Sequence, residues 1–292
     1  MPAATTHVEF AKDILKTFPK FQAATRNRQM FYLGSQGPDM LFFSHASIFP
    51  GSLHKYGSLM HGLKVYDVIS FFENYAKDDS DLNSYIKGYL CHYALDSTAH
   101  PLIFAVTDAM VKQHGGRTGV THVGLEAEID VWMLQQRGRQ ATDYDVFHYL
   151  KVTDSDQKKL ASMYHEMFLH VYDLNIKTTT IAHAIDEVYT WTKFLYPKKL
   201  TYQFIYAFET AIGGIHGLTA MMLYNKSPKE IINTEHISYT IPWAPYEKIQ
   251  SSFLELYDKA LPLAASLLTS HKKDDFQKNF NGENVNKAMQ QA

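Results

Sequence analysis

Residues 88–103 read GYLCHYALDSTAHPLI and contain the most informative pattern in the chain. His92, Asp96 and His100 follow one another at intervals of four residues. Each interval of four advances by about 40° around an α-helix, so the three side chains share one helical face. Imidazole nitrogens and carboxylate oxygens are ligands that a borderline metal such as zinc accepts. The segment therefore predicts either a metal site or a polar stripe that is solvated or satisfied within the core.

Pro101 directly follows His100 in this segment. A proline disfavours helical geometry at the residue before it. The helix is therefore predicted to end at His100, which would let this side chain turn toward a different partner from His92.

Most of the remaining chain has the apolar periodicity of amphipathic helices. The predicted helices are 8–17, 61–76, 83–99, 122–137, 155–172, 180–194, 200–212 and 246–269. No convincing run of alternating strands appears, and Pro245 suits the first turn of the last helix. We therefore predict an all-α fold with a single multi-helix domain over residues 1–270. The polar segment 271–292 predicts a flexible tail or a loosely docked helix.

Composition and charge exclude several classes of protein. The chain has 292 residues, of which 46% are hydrophobic and 20% charged, which argues against a disordered chain. A net charge of −2 argues against nucleic-acid binding through bulk positive charge. The single cysteine excludes an intrachain disulfide framework, and the first residues lack the pattern of a secretory signal. These features predict a cytoplasmic protein.

Four further motifs contribute candidate ligands. His122 and Glu126 are four residues apart in THVGLEAEID, and Asp39 follows Gly37 and Pro38 in a predicted turn where Pro38 favours an extended Gly37. His61 is predicted at a helix start, and His7 lies near the N-terminus. Each of these motifs alone is more often structural or solvated than metal-binding.

Taken in order, the eight positions form one pattern: His7, Asp39, His61, His92, Asp96, His100, His122 and Glu126. This order and local spacing resemble the zinc-dependent phospholipase C family of bacteria, which shares its fold with the P1-type nucleases. The motifs cover about residues 1–130, and helix content extends the resemblance more weakly to about 270.

The resemblance implies a set of ligands for two or three zinc ions. Asp39, His61, His92 and Asp96 would surround one zinc. A second would be held by His100, His122 and Glu126. Asp96 would bridge to a third zinc together with His7 and the N-terminal amino and carbonyl groups.

The resemblance also implies a phosphodiester hydrolase that uses metal-activated water, with Asp39 orienting or deprotonating that water. The expected substrate is a phospholipid or another phosphodiester, reached through transient contact with a membrane surface and without stable nucleic-acid binding. Two alternatives stay open at this point. One is a P1-type nuclease or nucleotidase on the same fold, and the other is a non-catalytic protein that keeps the metal site.

Overall fold

The computed structural model describes residues 4–47, 51–143, 145–195, 198–224 and 226–285, and its architecture is mostly helical. The α-helices in chain order are α1 Ala4–Thr17, α2 Arg28–Gly34, α3 His54–Gly62, α4 Val65–Ala76, α5 Ser80–His114, α6 Thr118–Gln136, α7 Phe147–Leu150, α8 Asp154–Tyr172, α9 Thr178–Phe194, α10 Lys199–Ala211, α11 Gly217–Met221, α12 Lys229–Ile232 and α13 Phe253–Thr269. Short 3-10 helices include Gly37–Ser47, and one antiparallel pair is formed by β1 Tyr239–Ile241 and β2 Ala244–Ile249. The predicted all-α class is confirmed.

Helix α5 is the centre of the fold. Asp79 caps its N-terminus by accepting hydrogen bonds from the backbone N–H groups of Asp81 and Leu82. Most of its side chains between Leu82 and Thr107 are buried, and α1, α2, α4, α6 and α13 all pack against it. In the described part of the chain, no helix combines the length and the hydrophobicity needed to cross a bilayer.

The predicted end of α5 at His100 is wrong, because the helix continues through Pro101 to His114. Proline removes one backbone donor and crowds the preceding turn, which normally kinks or ends a helix. Here the residues around Pro101 are buried, and Gly282 packs directly onto its ring. A Cβ at Gly282 would lie 2.5 Å from Pro101 Cγ, so only glycine allows this approach. Tertiary packing therefore sustains a helix that local preference disfavours.

Helices α2 and α5 meet almost backbone to backbone. A Cβ on Gly34 would lie 2.0 Å from the Tyr85 carbonyl oxygen, and one on Gly88 would lie 2.0 Å from the Phe31 carbonyl oxygen. These two contacts exclude any larger residue at Gly34 and Gly88. The close approach brings the end of α2 within reach of the α5 face that carries His92.

Two other predicted helices have different limits in the structure. The predicted helix 61–76 is divided into α3 and α4, because Lys64 adopts a left-handed conformation with φ of 58°. The predicted helix 246–269 begins only at Phe253, where Ser252 and Glu255 form a capping box. Pro245 lies in β2 and not in a first helical turn. A two-stranded hairpin was thus missed, because its strands are short and lack regular alternation.

The C-terminal segment differs from the polar tail that its composition predicts. Phe276 and Phe280 are buried in the main core, and Lys278 pairs with Asn284 in an isolated β-bridge. The backbone N–H of Phe280 also donates a hydrogen bond to the carbonyl oxygen of His61. These two buried phenylalanines and the backbone contacts together fix a segment that is otherwise polar. Residues 286–292 of the predicted tail lie outside the described part, and the domain boundary at 270 stays a prediction.

Candidate metal centre

Five elements bring the eight predicted residues to one place in the interior. His7 lies in the first turns of α1, and Asp39 lies in the 3-10 helix Gly37–Ser47. The predicted position of His61 at a helix start is wrong, because His61 lies in the last turn of α3. Helix α5 contributes three residues and α6 contributes two. Their donor atoms form three groups compact enough to hold an ion: His7, His92 and Asp96; Asp39, His61 and His92; His100, His122 and Glu126.

Asp96 lies at the middle of this arrangement. Its Oδ1 is 3.3 Å from His7 Nε2, and its Oδ2 is 3.0 Å from His92 Nε2. The same Oδ2 lies 3.5 Å from His100 Nδ1 and 3.9 Å from His61 Nε2. A single carboxylate therefore contacts or approaches four imidazoles that come from three helices.

Two buried donor atoms in this arrangement suit a cation. His92 Nε2 and Asp96 Oδ2 are both buried, and neither has a hydrogen-bond partner even though they face each other. A buried polar atom without a partner is costly and requires an explanation. A metal ion bound by both the imidazole nitrogen and the carboxylate oxygen would satisfy both atoms. The donor set therefore fits zinc.

The third group is arranged around Glu126. Its Oε1 is 3.4 Å from His100 Nε2 and 3.4 Å from His122 Nε2. His122 and Glu126 are one turn apart on α6, while His100 reaches across from α5. His100 thus approaches Glu126 while it remains inside its helix, and its role as a metal ligand stays a prediction.

Three of the histidines are held in place by backbone carbonyl groups. The Nδ1 atoms of His61, His92 and His100 lie 2.8, 3.0 and 2.7 Å from the carbonyl oxygens of Gly57, Ser35 and Phe280. With Nδ1 donating its proton, Nε2 is left with the lone pair that a metal needs. This arrangement is typical of metal-ligating histidines and fixes the orientation of each ring.

Gly37 allows Asp39 to enter the centre. A Cβ at Gly37 would lie 2.1 Å from Cδ2 of His92, and Gly37 has φ of 53°. Any other residue would collide with the imidazole and would also be strained in this left-handed conformation. The extended shape predicted for Gly37 is wrong, because the segment instead opens the 3-10 helix in which Asp39 lies.

The electrostatics of the centre favour ionised carboxylates. Burial alone would raise the pKa of Asp96, but the nearby His100, His92 and His7 hold the pKa well below its usual range. Burial would also raise the pKa of Glu126, but the cationic groups around it, including His122 and His100, lower that pKa well below its usual range. Burial lowers the pKa of His92, whereas Asp96 and Glu126 overcome burial at His100 and raise its pKa to about 9. Asp96 and Glu126 are thus held ionised, which is the state in which a carboxylate can bind a cation.

Asp130 is a functional candidate that the sequence reasoning missed. Its Oδ1 accepts hydrogen bonds from the Thr6 backbone N–H at 2.8 Å and from the Thr6 hydroxyl at 2.7 Å. Its Oδ2 accepts from the Thr5 N–H at 3.2 Å. The carboxylate therefore caps the free N–H groups of α1 from another helix, next to His7. The sequence offers one sign of this role, because Asp130 lies four residues after Glu126 and therefore on the same face of α6.

The centre opens toward solvent beside His122. The side chain of His122 is 16% exposed, whereas the other seven are at most 8% exposed. Phe104 packs on its ring at 4.6 Å between centroids, and Trp243 from the β1–β2 turn meets Phe104 edge to face at 5.3 Å. These two aromatic residues form the rim, which no sequence motif indicated.

The N-terminal amino group predicted as a ligand belongs to Met1, which lies outside the described residues. His165 and His170 take no part in the centre; their Nδ1 atoms lie near backbone carbonyl oxygens at 2.7 and 2.8 Å. Cys91 is fully buried and has a raised pKa caused mainly by burial, which agrees with its interpretation as a core residue.

Comparison with known proteins agrees with this geometry. A search of curated proteins and a search of solved structures each gave no match. The family model for zinc-dependent phospholipase C matches residues 6–191, which is more than half of the chain and includes all eight predicted ligands. The chain therefore belongs to the zinc-dependent phospholipase C family.

Proposed function

We propose that the protein is a zinc-dependent phosphodiesterase that cleaves a phospholipid in the manner of a phospholipase C, with water as the nucleophile. The observation that carries this proposal is the buried cluster around Asp96, in which three groups of imidazoles and carboxylates lie in a matched family domain. Family membership alone would also fit a protein that has lost its site. The presence of all eight donor residues, in contact with one another, supports an active centre.

The proposed ligands follow the pattern of the family. One ion would be held by Asp39, His61, His92 and Asp96, and a second by His100, His122 and Glu126. A third would lie between Asp96 and His7. His92 belongs both to the group with Asp39 and to the group with His7. The first and third ions would therefore lie next to each other.

Zinc ions bound here would neutralise charge on the phosphate oxygens. They would also lower the pKa of water, so that hydroxide is available for attack at neutral pH. The chain contributes the orientation of the reactants. The pKa of Asp39 is held below its usual range because the cationic groups around it, including His61 and His92, outweigh its burial. An Asp39 carboxylate that is ionised at neutral pH can accept a hydrogen bond and then a proton from the attacking water.

The exposed side of the centre favours a phospholipid over a nucleic acid. A nuclease on this fold would benefit from two aromatic faces that enclose a base. Phe104 and Trp243 instead contact each other edge to face at 79°, so they leave no slot between their rings. Together they offer an apolar rim that suits the glycerol and acyl portion of a lipid.

The test combines metal analysis with a substrate screen. Purified protein should contain at least two zinc-class ions by mass spectrometry, and chelation should abolish hydrolysis. The screen compares phospholipids with dinucleotides and nucleoside monophosphates, and phospholipids should be the preferred class. Full activity in metal-free protein would refute the metal mechanism, and preference for nucleotides would identify the nuclease alternative.

A further inference from the structure

An unpartnered apolar stripe lies along α10. Leu200, Phe204 and Phe208 are spaced four residues apart and therefore share one face of this helix, and Ile212 follows at the same interval. All four are exposed, with Leu200 at 79% and Phe204 at 74%. Isolated surface hydrophobic residues are ordinary, but a continuous stripe of large ones marks an interaction surface.

A neighbouring face of α10 already has a packing partner. Ile205 is buried with Leu195 and Met222 in a small separate cluster, so it attaches α10 to the fold. Glu209 is also buried, and it accepts hydrogen bonds from the backbone N–H groups of Leu218 and Thr219 at the start of α11. The exposed stripe is therefore apolar surface in addition to the residues that pack α10 against the fold.

The charge around the stripe has one sign. Lys198 lies just before the helix, Lys199 is its first residue, and both are exposed. Glu209 is the one acidic residue between 198 and 215 in the sequence, and it is committed to capping α11. Segment 198–215 thus combines exposed aromatic and aliphatic side chains with positive charge, and its single carboxylate is buried. This combination suits a helix that lies in the interface of a membrane containing anionic lipids.

The position of this surface relates it to the candidate centre. Helix α11 packs against α6 at Gly124, where an added Cβ would be 3.9 Å from Ala220 Cβ. Gly124 lies between His122 and Glu126, the two α6 residues of the centre. The α10–α11 unit therefore contacts the same turn of α6 that contains the exposed ligand His122.

From these observations we infer that the exposed stripe of α10 docks the protein onto an anionic phospholipid bilayer and thereby brings the centre to its substrate. The inference rests on the proposed function for its choice of partner. A bilayer suits this surface because Phe and Leu can insert below the headgroups while Lys198 and Lys199 contact lipid phosphates.

The experiment measures vesicle binding separately from hydrolysis. Full-length protein is floated with vesicles of non-hydrolysable phosphonate analogues, either zwitterionic alone or mixed with an anionic lipid. The variant Leu200→Gln/Phe204→Gln replaces exposed residues with a good helix former, so folding should persist. A matched control, Tyr246→Gln/Leu254→Gln, changes two exposed residues elsewhere. The stripe variant should lose at least about tenfold in binding to anionic vesicles, and the control less than about twofold.

Two further readouts complete the test. The variant Lys198→Gln/Lys199→Gln should weaken binding to anionic vesicles and flatten its dependence on salt. Hydrolysis of a short-chain phospholipid in solution should be equal in wild type and stripe variant, since this substrate needs no docking. If the wild-type protein does not hydrolyse the short-chain phospholipid, this result contradicts the proposed function but not the docking surface.

Equal vesicle binding by wild type and stripe variant would overturn the inference. So would sedimentation that shows a dimer abolished by Leu200→Gln/Phe204→Gln together with no binding to vesicles. The latter result would assign the stripe to a second copy of the chain.

Discussion

Asp96 is the residue that joins the parts of the centre. Its two oxygens approach His7, His92 and His100 at 3.5 Å or less, so it links donors from α1 and from both ends of the α5 motif. A neutral residue of the same shape would leave these imidazoles without a compensating negative charge. It would also remove one of the oxygens available to a metal.

Asp96→Asn should therefore lower phospholipid hydrolysis by more than about 100-fold and reduce the bound metal, since even partners of ligands cost up to about that factor. The control is Glu128→Gln, a carboxylate on α6 that lies beside Lys226 and outside the three donor groups. Glu128→Gln should stay within about twofold of wild type. Hydrolysis and metal content are measured for both variants. Equal losses would contradict the placement of Asp96 inside the centre and of Glu128 outside it.

His7 tests whether a third ion is bound. Its Nε2 lies near Asp96, its Nδ1 is buried without a hydrogen-bond partner, and its ring lies 4.2 Å from that of His92. His7→Ala should lower the metal count by about one while the pair of ions held mainly by α5 and α6 survives. Turnover should fall without being abolished, because electrostatic stabilisation is weakened and not removed. Metal counting on chains with a native N-terminus decides the question, and an unchanged count would exclude His7.

At the scale of elements, α1 depends on a residue from α6. Asp130 is fully buried and accepts three hydrogen bonds from Thr5 and Thr6, so it performs from a distance what an N-cap residue normally does locally. Because His7 directly follows these threonines, the capping interaction also sets where its imidazole lies.

Asp130→Ala should lower the free energy of unfolding by about 2–4 kcal/mol, because several buried donors lose their acceptor. It should also reduce the metal count as His7→Ala does. Thr153→Ala is the control, since Thr153 caps α8 by accepting from the Asp156 N–H in another part of the fold. That variant should lose stability, by about 1 kcal/mol, with no change in metal. Urea unfolding and mass spectrometry measure both effects, and retention of all metal in Asp130→Ala would contradict the positioning role.

The elements differ in how well the sequence predicts them, for physical reasons. The i, i+4 spacing of His92, Asp96 and His100 predicts their shared face because helical periodicity is local. Local rules misjudge Pro101, whose helix persists because Gly282 and the surrounding core pack against it. The orientation of the imidazoles by the Ser35 and Phe280 carbonyl groups could not be predicted either, since any residue offers a carbonyl and only the fold selects which one.

At the scale of the whole molecule, the C-terminal segment packs against the candidate centre. Phe280 packs against His61 at 5.3 Å and His92 at 5.5 Å between ring centroids, and its carbonyl oxygen lies 2.7 Å from His100 Nδ1. One residue of the C-terminal segment thus contacts predicted ligands from α3 and α5. Metal binding and docking of the C-terminal segment should consequently stabilise each other.

This coupling can be measured by comparing Phe280→Ala with Phe276→Ala. Both side chains are buried, and each deletion should cost about 3–5 kcal/mol through lost burial and the resulting cavity. Phe276 packs against Tyr66, Tyr93 and His271, none of which is a predicted ligand, whereas Phe280 touches two of the ligands. Phe280→Ala should therefore weaken zinc affinity by about tenfold or more, and Phe276→Ala should leave it nearly unchanged. Competition with a chelator gives the affinities, and thermal unfolding with and without zinc gives the stabilities. If both variants bind zinc as tightly as wild type, the C-terminal segment stabilises the fold alone and has no part in holding the ligands.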